Sequence, residues 1–339
     1  MRIPTPRAPY TALMSAVESG LVEIVREFLA AHGLLQSVSE RYRAGALAFD
    51  EVGELVGDDE RSVLFRLKER CHVLFRGERR ESEIGPAALF DLAVGSLFHE
   101  AMKFRENFYQ RSAYGPKVRA LRRAAVRDES GLLAEFEKLI GAAGVRIDES
   151  LQELDTLLGQ TTAQFRILLA AHAEDGALAR VVAVRSEELA AVLGTSQQAL
   201  LAELYGGAAE AWSRAARSFL QSGFFSEARS AFEQAARQGQ PLSGDARLLL
   251  FAEGMAAYLE GRYGDTVARL GEWFVTASAA LAPSEKALAR QAASALSRVG
   301  ALAGIGSPEA TEAARCLERL RAIDPDSVER RDDGRARHS

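Results

Sequence analysis

The stretch that most constrains this chain is residues 209–241, AEAWSRAARSFLQSGFFSEARSAFEQAARQGQP. Trp212, Ala215, Ala216, Phe219 and Leu220 fall three or four apart, so they share one face of a helix. Gly223 ends that helix, because glycine accepts the left-handed backbone of a tight exit. Ser226 and Glu227 open a second helix whose inner face carries Ala228, Phe232 and Ala235. Ala216, Ala228 and Ala235 let two backbones come close, while Trp212, Phe219, Phe225 and Phe232 fill the space around them. Pro241 follows, where a helix cannot continue. The stretch is a helical hairpin.

Trp212, Phe219, Gly223, Phe225, Ala228, Phe232 and Ala235, with their spacing, resemble a tetratricopeptide repeat. The stretch departs from that pattern at Ala216, where the family has glycine, and by one residue at Pro241. Gly254, Ala257, Tyr258, Gly261, Tyr263, Val267, Leu270 and Trp273 echo it weakly across 247–275, with Gly261 lying 38 residues after Gly223. A third hairpin is expected from a helix over 284–303, a GIGSP turn and a helix over 309–323. Its exit at Ile323, Asp324 and Pro325 is similar to that of the repeat, but it lacks large aromatics, as a capping repeat does.

Composition agrees with an all-α protein. Of 339 residues, 47% are apolar, only 7% are aromatic and alanine is very frequent; alanine is the strongest helix former. The net charge of −5 gives no bulk polyanion-binding character. It is uneven: residues 1–130 carry 20 Lys+Arg against 19 Asp+Glu, and residues 131–325 carry 18 against 24. We expect a helical domain over 1–130, connecting helices over 131–205, repeats over 206–325 and a disordered tail over 326–339, DSVERRDDGRARHS. No Pro/Gly/Ser-rich linker separates residues 128–205, so one continuous helical body is expected.

In the first part, Thr11, Leu13, Ala16, Gly20, Glu23, Val25, Leu29 and Gly33 resemble one ankyrin repeat. A single copy has no neighbours to bury its faces, so a packing helix or hairpin is expected. Glu51, Val52, Leu55, Gly57, Ser62 and Val63 are similar to the helix-turn-helix of sigma-factor region 4, with Gly53 in place of a small alanine. Asp58, Asp59 and Glu60 would face the phosphates there and repel them. A loop is expected at 77–86, then a long helix over 87–111 ended by Gly115 and Pro116. Two helices follow, with Ser130 and Asp148 as N-caps. Leu189, Ala190, Leu193, Gly194, Ser196, Leu200, Leu204 and Gly206 resemble the helix-turn-helix of phage-type repressors, yet the reading helix offers Gln197 and Gln198 and no cation.

Basic residues gather at 101–127, where eight Lys/Arg meet one acid, Glu106. Lys103, Arg105, Lys117, Arg119, Arg122 and Arg123 form a candidate basic surface, with Phe104, Phe108, Tyr109 and Tyr114 interleaved. A solvated face, or one pairing with the acidic half, is the plainer reading.

No catalytic constellation is found. The five histidines are His32, His72, His99, His172 and His338. Cys71 and His72 point to different helix faces and chelate poorly; His99-Glu100 lacks the second histidine of a zinc-protease helix. Phosphate-cradling, dinucleotide and nucleophile-elbow motifs are absent. Cys71 and Cys316 give no disulfide framework, and no signal peptide or apolar run of membrane length occurs.

The expected protein is a cytoplasmic, non-enzymatic scaffold or adaptor without cofactor or metal. In tetratricopeptide domains the first helix of each hairpin lines the groove. That resemblance makes Ser213, Arg214, Arg217 and Gln221, with Phe251, Met255 and Tyr258, the exposed candidates for a peptide or protein partner. The family's basic clamp for a terminal carboxylate is not matched, since the second copy has no Lys or Asn on that face. The alternative is a DNA-binding regulator that uses a helix-turn-helix and senses or dimerises through the repeats; the charge distribution argues against nucleic acid.

Overall fold

The structure is a computed structural model that describes residues 8–75, 85–124, 131–239, 244–276 and 283–324. It is all-α, with fourteen helices and no strand among the described residues. Pro241, the loop at 77–84, Ser130, Arg127 and the tail after Asp324 lie outside them. The chain divides into two compact units, Met1–Leu204 and Tyr205–Ser339.

The first unit is built on α1 (Ala8–Arg43), α2 (Phe49–Leu55), α3 (Val63–Phe75), α4 (Pro86–Ala124) and α5 (Leu132–Ala171). Three short helices complete it: α6 (Gly176–Val184), α7 (Ser186–Val192) and α8 (Gln197–Tyr205), whose last residue begins the second unit. Phe28, Phe90 and Phe165, from α1, α4 and α5, are fully buried, with ring centres 4.2–5.8 Å apart. Arg66 of α3 donates through Nε to both carboxylate oxygens of Glu27 on α1, each at 3.0 Å.

Two expectations change here, at Gly115-Pro116 and at Asp148. The ankyrin-like stretch forms the expected packing helix, one run of α1 with no turn at Gly20 or Gly33. Gly20 instead lets α3 approach, since a Cβ there would lie 2.9 Å from Leu74 Cδ1. Gly115-Pro116 does not end α4, although proline removes a helical hydrogen bond. Contacts with α5 carry the helix past it: Tyr114 stacks on Phe136 at 5.5 Å, Val118 is buried and Arg122 pairs with Glu137. Likewise α5 is unbroken through Asp148, which is no N-cap. The buried stripe of Ala143, Ile147, Leu151 and Leu154 continues across the expected break.

Both stretches with helix-turn-helix resemblance form two short helices joined by a turn. In the first, Ser62 Oγ donates to Leu55 O at 3.2 Å and accepts the Phe65 N–H at 3.3 Å, capping α3. In the second, Gly194 takes φ +63° and Ser196 Oγ accepts the Ala199 N–H at 3.2 Å.

The second unit holds three hairpins: α9 (Ala208–Gln221) with α10 (Phe225–Gln238), α11 (Asp245–Leu259) with α12 (Tyr263–Val275), and α13 (Pro283–Leu302) with α14 (Pro308–Ile323). The first two turns share one hydrogen-bond pattern, 38 residues apart. Gly223 N–H donates to Leu220 O and Gly261 N–H to Tyr258 O, both at 3.1 Å. Phe224 N–H donates to Phe219 O and Arg262 N–H to Ala257 O, both at 2.9 Å. These are paired helix-end motifs that need a left-handed residue, and φ is +78° at Gly223 and +73° at Gly261. One buried cluster joins the hairpins, with Ala216, Ala228, Phe232, Phe251, Leu270, Trp273, Leu296 and Cys316 among its members.

Candidate functional site

The expected groove residues do not form one open surface. Ser213 is fully buried, and its hydroxyl has no hydrogen-bond partner among the described residues. Phe251 and Met255 are also buried, which corrects their assignment as exposed contacts. The reason is the place of α11, which packs against α10 on one side and against α12 and α13 on the others. Phe251 is thereby wedged between Phe225, at 6.0 Å, and Trp273, at 5.1 Å. Tyr258 is half-buried and packs on the same cluster. Arg214 Nη2 donates to Glu210 at 2.7 Å and lies over the Tyr205 ring. Arg217 Nη2 reaches Asp245 at 2.8 Å. Gln221 alone of the seven is exposed.

An open cleft of about 360 Å³ lies elsewhere, between α10, α11 and α12. Arg229 and Glu233 line it from α10, Glu253 from α11, and Arg262, Asp265 and Arg269 from the turn and α12. Glu253 accepts from Arg269 Nε at 3.0 Å, and Asp265 pairs with Arg262. Arg262 also binds Glu260 at 2.6 Å; the hydrogen bonds it donates to these two carboxylates hold its guanidinium's pKa above the ordinary value. Arg229 is half-buried and has no ion-pair partner among the described residues. Its sequence surroundings, SEARSAF, resemble any amphipathic helix, so nothing there marked it out.

The basic surface is largely spent on local partners. Lys103 Nζ binds Glu100 at 2.8 Å, and that hydrogen bond raises the lysine's pKa. Arg105 reaches Asp58 at 3.6 Å and lies over the Tyr109 ring. Lys117 sits over Tyr114 and Phe136, and Arg122 pairs with Glu137. Arg119 and Arg123 are exposed and unpaired among the described residues. Beside the first helix-turn-helix, an open cleft of about 610 Å³ is lined by Asp50, Glu54, Asp58 and Asp59 against Arg61 and Arg105. Carboxylates therefore outnumber cations where a phosphate backbone would lie. Beside the second, Arg185 pairs with Glu188 and Arg166 with Glu203, whose pKa that hydrogen bond lowers.

Among the described residues, no group of three His, Cys, Asp or Glu side chains could hold a metal ion, and no helix is long and apolar enough to cross a membrane. Cys71 and Cys316 are free and buried, and burial pushes both thiols up. No protein-family model, curated protein or solved structure matches the chain.

Proposed function

We propose that this chain is a non-enzymatic scaffold or adaptor that takes a protein or peptide partner on the helical hairpins of its second unit, a short tetratricopeptide-like array. The observation that carries this reading is the repeated turn at Gly223 and Gly261. The same two hydrogen bonds and the same left-handed glycine recur 38 residues apart. Recurrence of one hairpin unit is the mark of repeat modules, which stack to build extended recognition surfaces. Buried, weakly acidic free thiols suit a reducing compartment, and we place the protein in the cytoplasm.

The second reading is a DNA-binding regulator using α2–α3 or α7–α8. The two helix-turn-helix resemblances favour it, while the acidic surroundings of the first and the absence of cations on α8 weigh against it.

Affinity purification of the tagged full chain, with and without nuclease, tests both. A stoichiometric protein partner that survives nuclease, and is lost when Gly254→Val distorts the second hairpin, supports the scaffold. Capture that disappears with nuclease, together with salt-sensitive submicromolar binding to duplex DNA, supports the regulator instead.

A further inference from the structure

Two patches of opposite charge lie along α4 in the first unit. Residues 49–61, across α2 and the turn into α3, hold six Asp+Glu against one Arg. The open cleft of about 610 Å³ there is lined by Asp50, Glu54, Asp58 and Asp59 against Arg61 and Arg105, which leaves two carboxylates in excess. The wider surroundings restore no balance: Glu51 is taken by Arg41 at 2.7 Å, and Glu60 is a further exposed acid. Asp50 and Glu54 are exposed and pair with no cation among the described residues. Residues 113–138, around the far end of α4, hold six Lys+Arg against four Asp+Glu, two cations in excess. Arg119 and Arg123 are exposed there and unpaired among the described residues.

We infer that the first unit docks on a second copy of itself, with Arg119 and Arg123 of each copy set against Asp50 and Glu54 of the other. Arg105 reaches Asp58 at 3.6 Å, and Tyr109 lies 5.0 Å from the Phe49 ring of α2. Arg105, Tyr109, Ser112, Pro116, Arg119 and Arg123 fall three or four apart, so one face of α4 runs from the acidic cleft to the two arginines. Arg119 stands about 21 Å beyond Arg105 along the helix axis. Two α4 helices laid antiparallel and crossing at Ser112 bring each basic end to the other copy's cleft. A two-fold axis makes this contact twice, and the pairing closes on itself. Ser112 and Pro116 are short, so the helices can lie close where they cross. Phe49, exposed beside Asp50, offers its ring face to an incoming guanidinium. The cleft repels phosphate, whereas a second copy brings the two cations it lacks. Exposed ion pairs are individually weak and screened by salt, so the dimer forms at micromolar concentration and loosens as salt is added.

Sedimentation velocity of the full chain over a micromolar range tests this in about 0.01 M and about 1 M salt, where the Debye length is about 30 and about 3 Å. The wild type dimerises in the first, and its dissociation constant rises at least about tenfold in the second. Arg119→Glu with Arg123→Glu is monomeric, and so is Asp50→Lys with Glu54→Lys, since like charges then meet at both contacts. Mixed one to one, these two chains form a heterodimer in which every contact again joins opposite charges. A chain carrying all four substitutions self-associates as the wild type does, and that recovery shows that the single-patch variants failed through charge and not through folding. A wild type that stays monomeric in low salt, a dimer indifferent to either swap, or a mixture that does not associate overturns the assignment. So does an oligoarginine peptide that binds a monomeric wild type and is lost with Asp50→Lys and Glu54→Lys, which would give the cleft to a foreign basic segment.

Discussion

Arg217 in the middle of α9 donates from Nε and Nη2 to Oδ1 of Asp245, the first residue of α11, at 3.2 and 2.8 Å. The Asp245 side chain is only 3% exposed, whereas 43% of the Arg217 side chain reaches solvent. The contact ties the first hairpin to the start of the second. It also places a carboxylate in the first turn of α11, where the helix dipole favours it.

Asp245→Asn therefore destabilises the second unit by roughly 1–3 kcal/mol, the range for a charged hydrogen bond lost from a largely buried site. Urea unfolding reads this as a lower midpoint with an unchanged slope. An unshifted midpoint would show that the pair contributes nothing.

Two glycines should respond in opposite directions to alanine. A Cβ on Gly254 would lie 2.7 Å from Leu270 Cγ and 3.2 Å from its backbone nitrogen, so α11 and α12 must part. Overpacking of this kind costs about 1–3 kcal/mol, more than the propensity gain of about 1 kcal/mol. Gly264, in the first turn of α12, has nothing within 4 Å of such an atom. Gly264→Ala should be neutral or stabilising by up to about 1 kcal/mol. Thermal midpoints that move the same way in both variants would contradict this packing.

The two thiols should be silent in the folded protein. Cys71 is fully buried, and burial, with Asp91 nearby, pushes its thiol up. Cys316 is likewise buried, with its thiol raised by burial and by Glu312. Since only thiolate reacts readily, Ellman's reagent should label neither until denaturant is added, and then both. Fast labelling of Cys71 at neutral pH would mean that α3 does not hold its place, and of Cys316 that α14 does not.

His32 gives a pH dependence of known sign. It is buried in α1 against the edge of Phe28, and burial lowers its pKa from the ordinary 6.5. Below that value the unfolded chain binds the proton more readily than the folded one, so stability falls as pH falls. His32→Gln should flatten the loss of stability between about pH 7 and pH 5 relative to wild type. Parallel losses in the two proteins would show that His32 does not sense folding.

Much of the fold was legible because its turns are written in local chemistry. Gly194, Gly223 and Gly261 each sit where a helix must exit through a left-handed residue, and all three have positive φ. Ser62 and Ser196 precede helices and cap them. The misread positions are those where packing overrides local preference: Pro116 and Asp148 carry stop and start signals that the α4–α5 contact outweighs. The site was harder for a different reason. Periodicity finds an apolar face but does not say how many neighbours a helix has. Phe251 and Met255 lie on α11, which is covered from several sides, so an outward assignment from a repeat pattern fails there.

The 40-residue continuity of α5 makes it an angular gauge. Its early part meets α4 through Phe136 on Tyr114, and its later part meets α1 through Phe165 on Phe28, at 4.2 Å. Each helical residue turns the chain by about 100° and advances it about 1.5 Å. One residue inserted between Phe136 and Phe165 would thus leave either contact in register and swing the other off its partner. Four would bring the faces back to within about 40°, at the expense of about 6 Å of slippage. Over this segment, the number of residues is fixed more tightly than their identity.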